Sequence, residues 1–188
     1  MSAPHKIRFA TVRDLYAAFP TAEIDVGVDC CDEPSVDFVA RLAKEGNARA
    51  ALSYCAYLLA RRVAIWWACR CVRQTALSDA AALRCLQAAE GWVEQPDEPR
   101  RQRALEEAAR APRSSAATWL AQAAGWSGGN ISANPALYLE PPPQGAAQAA
   151  RGAVLIALGS LSPDLRGASE AEWIDTALRC AVGDFGRT

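Results

Sequence analysis

The sequence predicts an all-α fold, an irregular bundle of about eight or nine antiparallel helices. The chain holds 41 alanines against 10 valines, 6 isoleucines and 6 threonines, and alanine favours helices whereas β-branched residues favour strands. Apolar residues recur mostly at the three- and four-residue spacing of a helix face. Short connections imply antiparallel neighbours. With 188 residues, 51% of them hydrophobic, residues 1–188 are expected to form a single helical domain.

The N-terminal elements follow from a cap and from an alternating pattern. Thr11 with Asp14 three residues later predicts a capping box at the beginning of the first helix. Residues 22–28 instead alternate apolar with polar or small side chains. This pattern predicts a minor extended segment, paired with residues 7–9. Residues 1–10 are expected to be loosely ordered.

The remaining helices are predicted from start signals, stop signals and helical spacing. They run from Pro34 to near Gly46, over residues 47–59, over 61–76, from Ser78 to near 95, over 100–111, from Ser114 or Ser115 to near Trp126, over 145–161 and over 168–182. Residues 127–143 form a long loop. Loops of this length in compact domains are often functional.

Composition narrows the function classes and the compartment. The formal net charge is -1 and the pI is about 5.9, which does not favour a nucleic-acid partner. The N-terminus lacks the apolar run of a secretory signal, and the longest uncharged stretch, 114–139, contains Gly, Asn and Pro, so no membrane span is expected. Seven cysteines, mostly in apolar helical runs, fit reduced thiols in a cytoplasmic protein.

The sequence holds no arrangement typical of catalysis, metal binding or a cofactor. His5 is the only histidine, which excludes the usual serine or cysteine nucleophile activated by a histidine. Cys30–Cys31 and the pair Cys69 and Cys71 lack the spacing of common zinc and redox motifs. We therefore predict no catalytic residue, no metal ligand, no cofactor and no enzymatic activity.

A first candidate binding surface lies on the fourth predicted helix. Trp66, Arg70 and Arg73 are spaced four and three residues apart and share one side of that helix. The functional interpretation is a groove that binds a small anionic or carboxylate ligand, with Trp126 as a further contact. The structural interpretation is a core helix in which Glu90 pairs with a buried Arg70, because an unpaired buried charge is costly.

A second candidate is the long loop after the seventh predicted helix. Gly128 and Gly129 are suited to end that helix, and their backbone amides could form an anion-binding nest. Leu137 and Tyr138 are apolar for a loop, so either they fold back onto the core or they meet a protein partner. The run Pro141–Pro143 is typical of an extended docking segment.

Charge is distributed unevenly along the N-terminal half. Residues 23–37 carry only acidic charges, and residues 49–73 carry only basic ones. Either these segments are neutralised within the molecule, or they form patches that steer partners. An acidic patch would suit an immunity protein that neutralises a basic toxin.

Three segments carry a family resemblance: YCAYLLARRVAIWWACRCVR (54–73), AAEGWVEQP (88–96) and ATWLAQAAGWSGGN (117–130). Together they resemble an uncharacterised family of bacterial all-helical proteins, a domain of unknown function associated with type VI secretion gene clusters. Ala60 stands where such sequences are expected to carry proline. The resemblance implies a cytoplasmic accessory protein of that machinery, an adaptor or a chaperone for an effector, and it assigns no catalytic residue.

The predicted function is therefore a non-enzymatic protein-interaction module with a secretion component or an effector as partner. Two alternatives stay open. One is a small anionic-ligand-binding or enzymatic helical domain that uses Arg70 and Arg73, and the other is a toxin-neutralising immunity protein.

Overall fold

The computed structural model describes residues 7–134 and 136–183, and this part of the chain is all-α, as predicted. Its helices are α1 (Val12–Ala18), α2 (Ala22–Val26), α3 (Ser35–Lys44), α4 (Ala48–Leu58), α5 (Arg61–Arg73), α6 (Ala80–Glu94), α7 (Glu98–Arg110), α8 (Ala116–Gly125), α9 (Gly145–Ser160) and α10 (Pro163–Ala181). The described residues form no strand, only a single β-bridge between Thr11 and Pro34. No helix in the described ranges has the length and hydropathy needed to cross a membrane.

The chain divides into two compact units. The first combines Met1–Ala60 with Pro163–Thr188, and the second is Arg61–Ser162. The expectation of one domain over 1–188 stays a prediction, and each unit is described by itself below.

The first unit is organised around α4, which packs against α2, α3 and α10. Tyr54 and Tyr57 on α4 are fully buried, and the Tyr54 hydroxyl shares a 2.8 Å hydrogen bond with Ser35 Oγ. The predicted capping box at Thr11 and Asp14 is confirmed, since each side chain bonds the other residue's backbone amide. The N-terminal segment described from residue 7 is tied to α3 through Ser35, while residues 1–6 of the segment predicted to be loosely ordered lie outside the described residues.

The predicted extended segment at 22–28 is wrong, because its first five residues form helix α2. Ala22 and Val26 are buried four residues apart on one helix face, whereas Ile24 is 84% exposed. Gly27 then ends the helix with a φ of 73°, a conformation that glycine adopts without steric cost. The backbone hydrogen bonds of this segment are therefore made within the helix and its cap rather than with residues 7–9.

The second unit is organised around α8, which packs against α5, α6, α7 and α9. This helix carries no charge and consists mainly of alanine, so neighbouring backbones approach it closely. At Gly125 an added Cβ would lie 2.3 Å from Leu105 Cδ1 and 3.2 Å from Leu105 Cα, too close for a side chain without a shift of α7. Small residues on α8 thus set the spacing of the unit's helices.

Helices α6 and α7 begin at residues other than those predicted, because an aspartate caps each of them. Asp79, not Ser78, accepts the Ala82 amide and begins α6. Asp97 accepts the Arg100 amide, so α7 begins at Glu98 rather than at residue 100. An aspartate oxygen at the N-cap satisfies a free amide of the first turn.

Candidate functional site

A groove of about 340 Å³ lies between α5 and α6 in the second unit. Its walls are formed by Trp66, Cys69, Arg70, Arg73, Glu90, Val93 and Glu94. The helical spacing of α5 places the three predicted residues Trp66, Arg70 and Arg73 along this groove, while Trp126 does not line it.

Arg70 is exposed and lies over the indole of Trp66, with its guanidinium carbon 5.4 Å from the ring centroid. The predicted Arg70–Glu90 pair is wrong. Because Arg70 stays in contact with water, it needs no carboxylate to offset burial, and the aromatic face holds it instead. This cation–π contact favours a position of the guanidinium at the groove.

Glu90 pairs with Arg73, one turn further along α5. The two groups form two parallel hydrogen bonds, with Arg73 Nη2 2.7 Å from Glu90 Oε2 and Arg73 Nε bonded to the other carboxylate oxygen. These bonds raise the pKa of Arg73. This bidentate geometry satisfies Glu90 and leaves Arg73 less available to an anionic ligand than the sequence predicted.

Two charged groups of the groove have no ion pair within the described residues, namely the side chains of Arg70 and Glu94. The backbone end of α6 is already satisfied, because Arg62 donates to Val93 O at 2.7 Å and to Glu94 O at 3.1 Å. Burial raises the pKa of Cys69, so the thiol on the groove wall is protonated and neutral. The groove therefore offers one cation, one carboxylate and a neutral wall.

A buried arginine that the sequence analysis missed anchors the beginning of the long loop. Arg101 on α7 is only 3% exposed. Its Nη1 donates to Gly125 O at 2.6 Å, its Nη2 to Asn130 O at 2.9 Å, and its Nε and Nη2 to the carboxylate of Glu98. The buried face of α7 comprises Arg101, Ala104 and Ala108, spaced three and four residues apart. That spacing was the signal available in the sequence.

Asn130 organises the loop beyond this anchor. Its Nδ2 donates to Leu137 O at 2.9 Å, and its Oδ1 accepts from the amides of Ser132 at 3.0 Å and Leu139 at 2.9 Å. The Ile131 amide donates to Leu139 O at 2.8 Å. One asparagine side chain thus closes the loop on itself and fixes the direction of its distal part.

The distal part of the loop presents an apolar surface to solvent. Leu137, Tyr138 and Leu139 are 60%, 69% and 56% exposed, and we call these three residues the loop tip. Of the two interpretations left open by the sequence, folding back onto the core does not occur. These side chains are exposed although the loop backbone is hydrogen-bonded, because Asn130 bonds Leu137 O and the Leu139 amide.

The turn after α8 presents carbonyls to arginines rather than amides to an anion. Arg61 donates to Ser127 O, and the Ser127 amide donates to Ala124 O at 3.2 Å. Gly129 has a φ of 65°, and a Cβ there would lie 2.9 Å from the Arg101 guanidinium. Gly129 therefore allows the Arg101 guanidinium to approach the backbone closely, and the predicted nest lies on a turn that Arg61 and Arg101 already contact.

Trp126 and Gly128, two of the predicted site residues, lie away from the groove. Trp126 forms the C-cap of α8 and packs at the beginning of α9, where a Cβ on Gly145 would lie 3.1 Å from the indole. Gly128 has nothing within 4 Å of an added Cβ. Neither residue touches the groove between α5 and α6.

The acidic segment 23–37 is largely engaged within its own unit. Asp32 pairs with Arg13, and Glu33 pairs with Arg41 at 2.9 Å. Asp25 accepts a hydrogen bond from the buried Tyr57. Ion pairs thus neutralise Asp32 and Glu33, two of the six acidic residues of this segment, and both arginine partners lie outside the basic segment 49–73.

The described ranges contain seven cysteines and no cluster of metal-binding side chains. No group of three or more His, Cys, Asp or Glu side chains there is arranged to hold a metal ion. The seven cysteines are free thiols, five of them buried, with Cys30 exposed and Cys31 partly exposed. His5 lies outside the described residues.

A family model described as a family of unknown function (DUF6931) matches residues 38–181, a range that includes both the groove and the loop. No curated protein and no solved structure matches the chain.

Proposed function

Because the chain belongs to the DUF6931 family, whose function is unknown, we propose a function from its own surfaces: it is a non-enzymatic protein-interaction module. The observation that carries this proposal is the loop tip, Leu137–Leu139, held in solvent by Asn130. Single exposed apolar residues are common on protein surfaces. Here three of them follow one another on one hydrogen-bonded loop, and clusters of exposed apolar residues mark interaction sites.

The energetics of the loop tip favour a protein partner. Burying an exposed leucine side chain contributes roughly 1.5–3 kcal/mol, and each tip residue is more than half exposed. Tyrosine adds a large apolar face and a hydroxyl, the combination enriched at interface hot spots. Because Asn130 already orders the backbone, association costs less loop entropy than it would for a mobile segment.

The partner chemistry that fits is an apolar groove on another protein. The tip is followed by Glu140 and then Pro141–Pro143, so the presented segment is apolar at one end and proline-rich at the other. Aromatic-lined grooves accept extended proline-rich segments in this way. The resemblance to an uncharacterised helical family associated with type VI secretion gene clusters is the reason for proposing an adaptor or chaperone-like accessory role in the cytoplasm, with a secretion component or effector as the partner.

The test is affinity capture from cells that express the chain natively, with a loop-tip variant and a matched control. The variant replaces all three tip residues by serine. The control replaces Ile24, Leu83 and Leu165 by serine, three similarly exposed apolar residues on other elements. A secretion component or effector retained by the wild type and the control, and lost by the variant, supports the proposal. Equal retention by all three proteins, or retention of no such protein, contradicts it.

A second candidate function is binding of a small charged ligand in the groove between α5 and α6. The observation favouring it is Arg70, exposed on the Trp66 ring without an ion pair in the described part of the chain. The immunity-protein alternative receives less support, because several acids of segment 23–37 are engaged internally.

A further inference from the structure

We infer that the groove between α5 and α6 binds a small amphoteric ligand, an amino acid or short peptide with a free carboxylate and a free ammonium group. Its carboxylate pairs with Arg70 on one wall and its ammonium group with Glu94 on the other. This inference rests on the second candidate function, whose ligand class it names, and it is independent of the loop tip, since no loop-tip residue lines the groove.

The charged residues of the groove are two arginines and two glutamates. Arg73 and Glu90 neutralise each other through two hydrogen bonds. Arg70 and Glu94 remain, on different helices, and they are not within ion-pair distance of each other. A purely anionic ligand would satisfy Arg70 but meet repulsion from Glu94. A ligand with both signs satisfies both groups.

The geometry of Arg70 suits a carboxylate. A guanidinium presents a planar fork of donors that matches the two oxygens of a carboxylate. The guanidinium carbon lies 5.4 Å from the Trp66 ring centroid, a cation–π contact that favours the position of Arg70 at the groove.

The other walls suit a short apolar side chain. Val93 and Cys69 are buried and contribute apolar surface, and the raised pKa of Cys69 keeps its thiol neutral. Arg62 already occupies the carbonyls of Val93 and Glu94, which leaves the Glu94 carboxylate as the acceptor for an ammonium group. The volume of about 340 Å³ is at the small end of ligand sites, in keeping with one or two amino-acid residues.

The test measures binding of the dipeptide alanyl-leucine, its N-acetylated form and its C-amidated form to the whole chain. Titration calorimetry gives the affinities, and the indole N–H resonance of Trp66, assigned with Trp66→Phe, reports the location. The free dipeptide is expected to bind up to roughly fivefold more tightly than either blocked form, since fivefold is the upper range for a solvent-accessible charge pair.

Two variants and a control assign each charge. Arg70→Gln should abolish the preference for the free over the amidated carboxyl end. Glu94→Gln should abolish the preference for the free over the acetylated amine. Arg103→Gln, which removes an exposed arginine from α7, should change neither.

The inference is overturned if the blocked forms bind as tightly as the free dipeptide, or if neither variant alters the preferences. It is also overturned if the Trp66 resonance does not move at the solubility limit of the probe. Circular dichroism of each variant verifies that it folds, as expected for substitutions of exposed side chains.

Discussion

Replacing Arg101 by methionine should destabilise the chain by about 3 kcal/mol. Methionine keeps the apolar stem of the side chain but removes its hydrogen bonds to Gly125 O and Asn130 O. A hydrogen bond from a charged donor contributes roughly 1.5–3 kcal/mol, and a buried acceptor left without a partner adds to the cost. Gln102 also donates to Asn130 O, at 3.3 Å, so that carbonyl keeps a partner. Glu98 is 59% exposed and regains water, so the lost ion pair adds only the roughly 0–1 kcal/mol of a solvent-accessible pair.

The assay is urea denaturation followed by far-ultraviolet circular dichroism, combined with amide hydrogen exchange. Faster exchange is expected at the amides of Ile131 and Leu139, since Arg101 anchors the loop in which both are bonded. The matched control is Arg103→Met, which removes an exposed arginine of the same helix and should stay within about 0.5 kcal/mol of the wild type. A loss below about 1 kcal/mol for Arg101→Met would refute the reasoning, because it would mean that the desolvation cost of the guanidinium cancels its hydrogen bonds.

Three further outcomes are expected. Hydrogen bonds from Arg101 lower the pKa of Glu98 from 4.5 to about 2, so this group stabilises the folded state above pH about 4.5 and loses that contribution as the pH falls towards 2. In Glu98→Gln the melting temperature should therefore fall less between pH 4.5 and 2 than it does in the wild type. The same fall in both proteins would contradict the assignment. Gly125→Ala should cost about 1–3 kcal/mol by urea denaturation, because the new methyl group overlaps Leu105, and a neutral result would show that α7 shifts freely. A thiol reagent should label only Cys30 and Cys31 in the native chain and all seven cysteines in denaturant. The other five thiols are buried, and burial raises the pKa of thiols such as Cys55. Rapid labelling of a third thiol in the native chain would contradict the assigned burial.

The sequence predicted the helices because their signals are local. Alanine content, three- and four-residue spacing and the cap at Thr11 act within one or two turns, and α1, α3, α4, α8 and α9 lie within a few residues of their predicted bounds. Segment 22–28 was misassigned because an alternating pattern in a short segment does not distinguish a strand from one helical turn. Burial of Ala22 and Val26 decides that choice.

The candidate site could be predicted only in part. Helical spacing placed Trp66, Arg70 and Arg73 on one side of α5, which follows from the geometry of a single helix. It could not decide which arginine Glu90 would meet, because that depends on how α5 and α6 pack. It also missed Arg101, since an arginine near other charges is usually solvated.

What the sequence by itself determined is the all-helical character of the chain, most helix positions and the residues that share a helix face. Only the tertiary structure decided the Arg73–Glu90 pair, the burial of Arg101 against the carbonyls of Gly125 and Asn130, and the exposure of the loop tip. The physical reason is the distance along the sequence over which each interaction acts. Backbone hydrogen bonds and caps connect residues three or four apart, whereas ion pairs and burial connect residues that packing alone brings together.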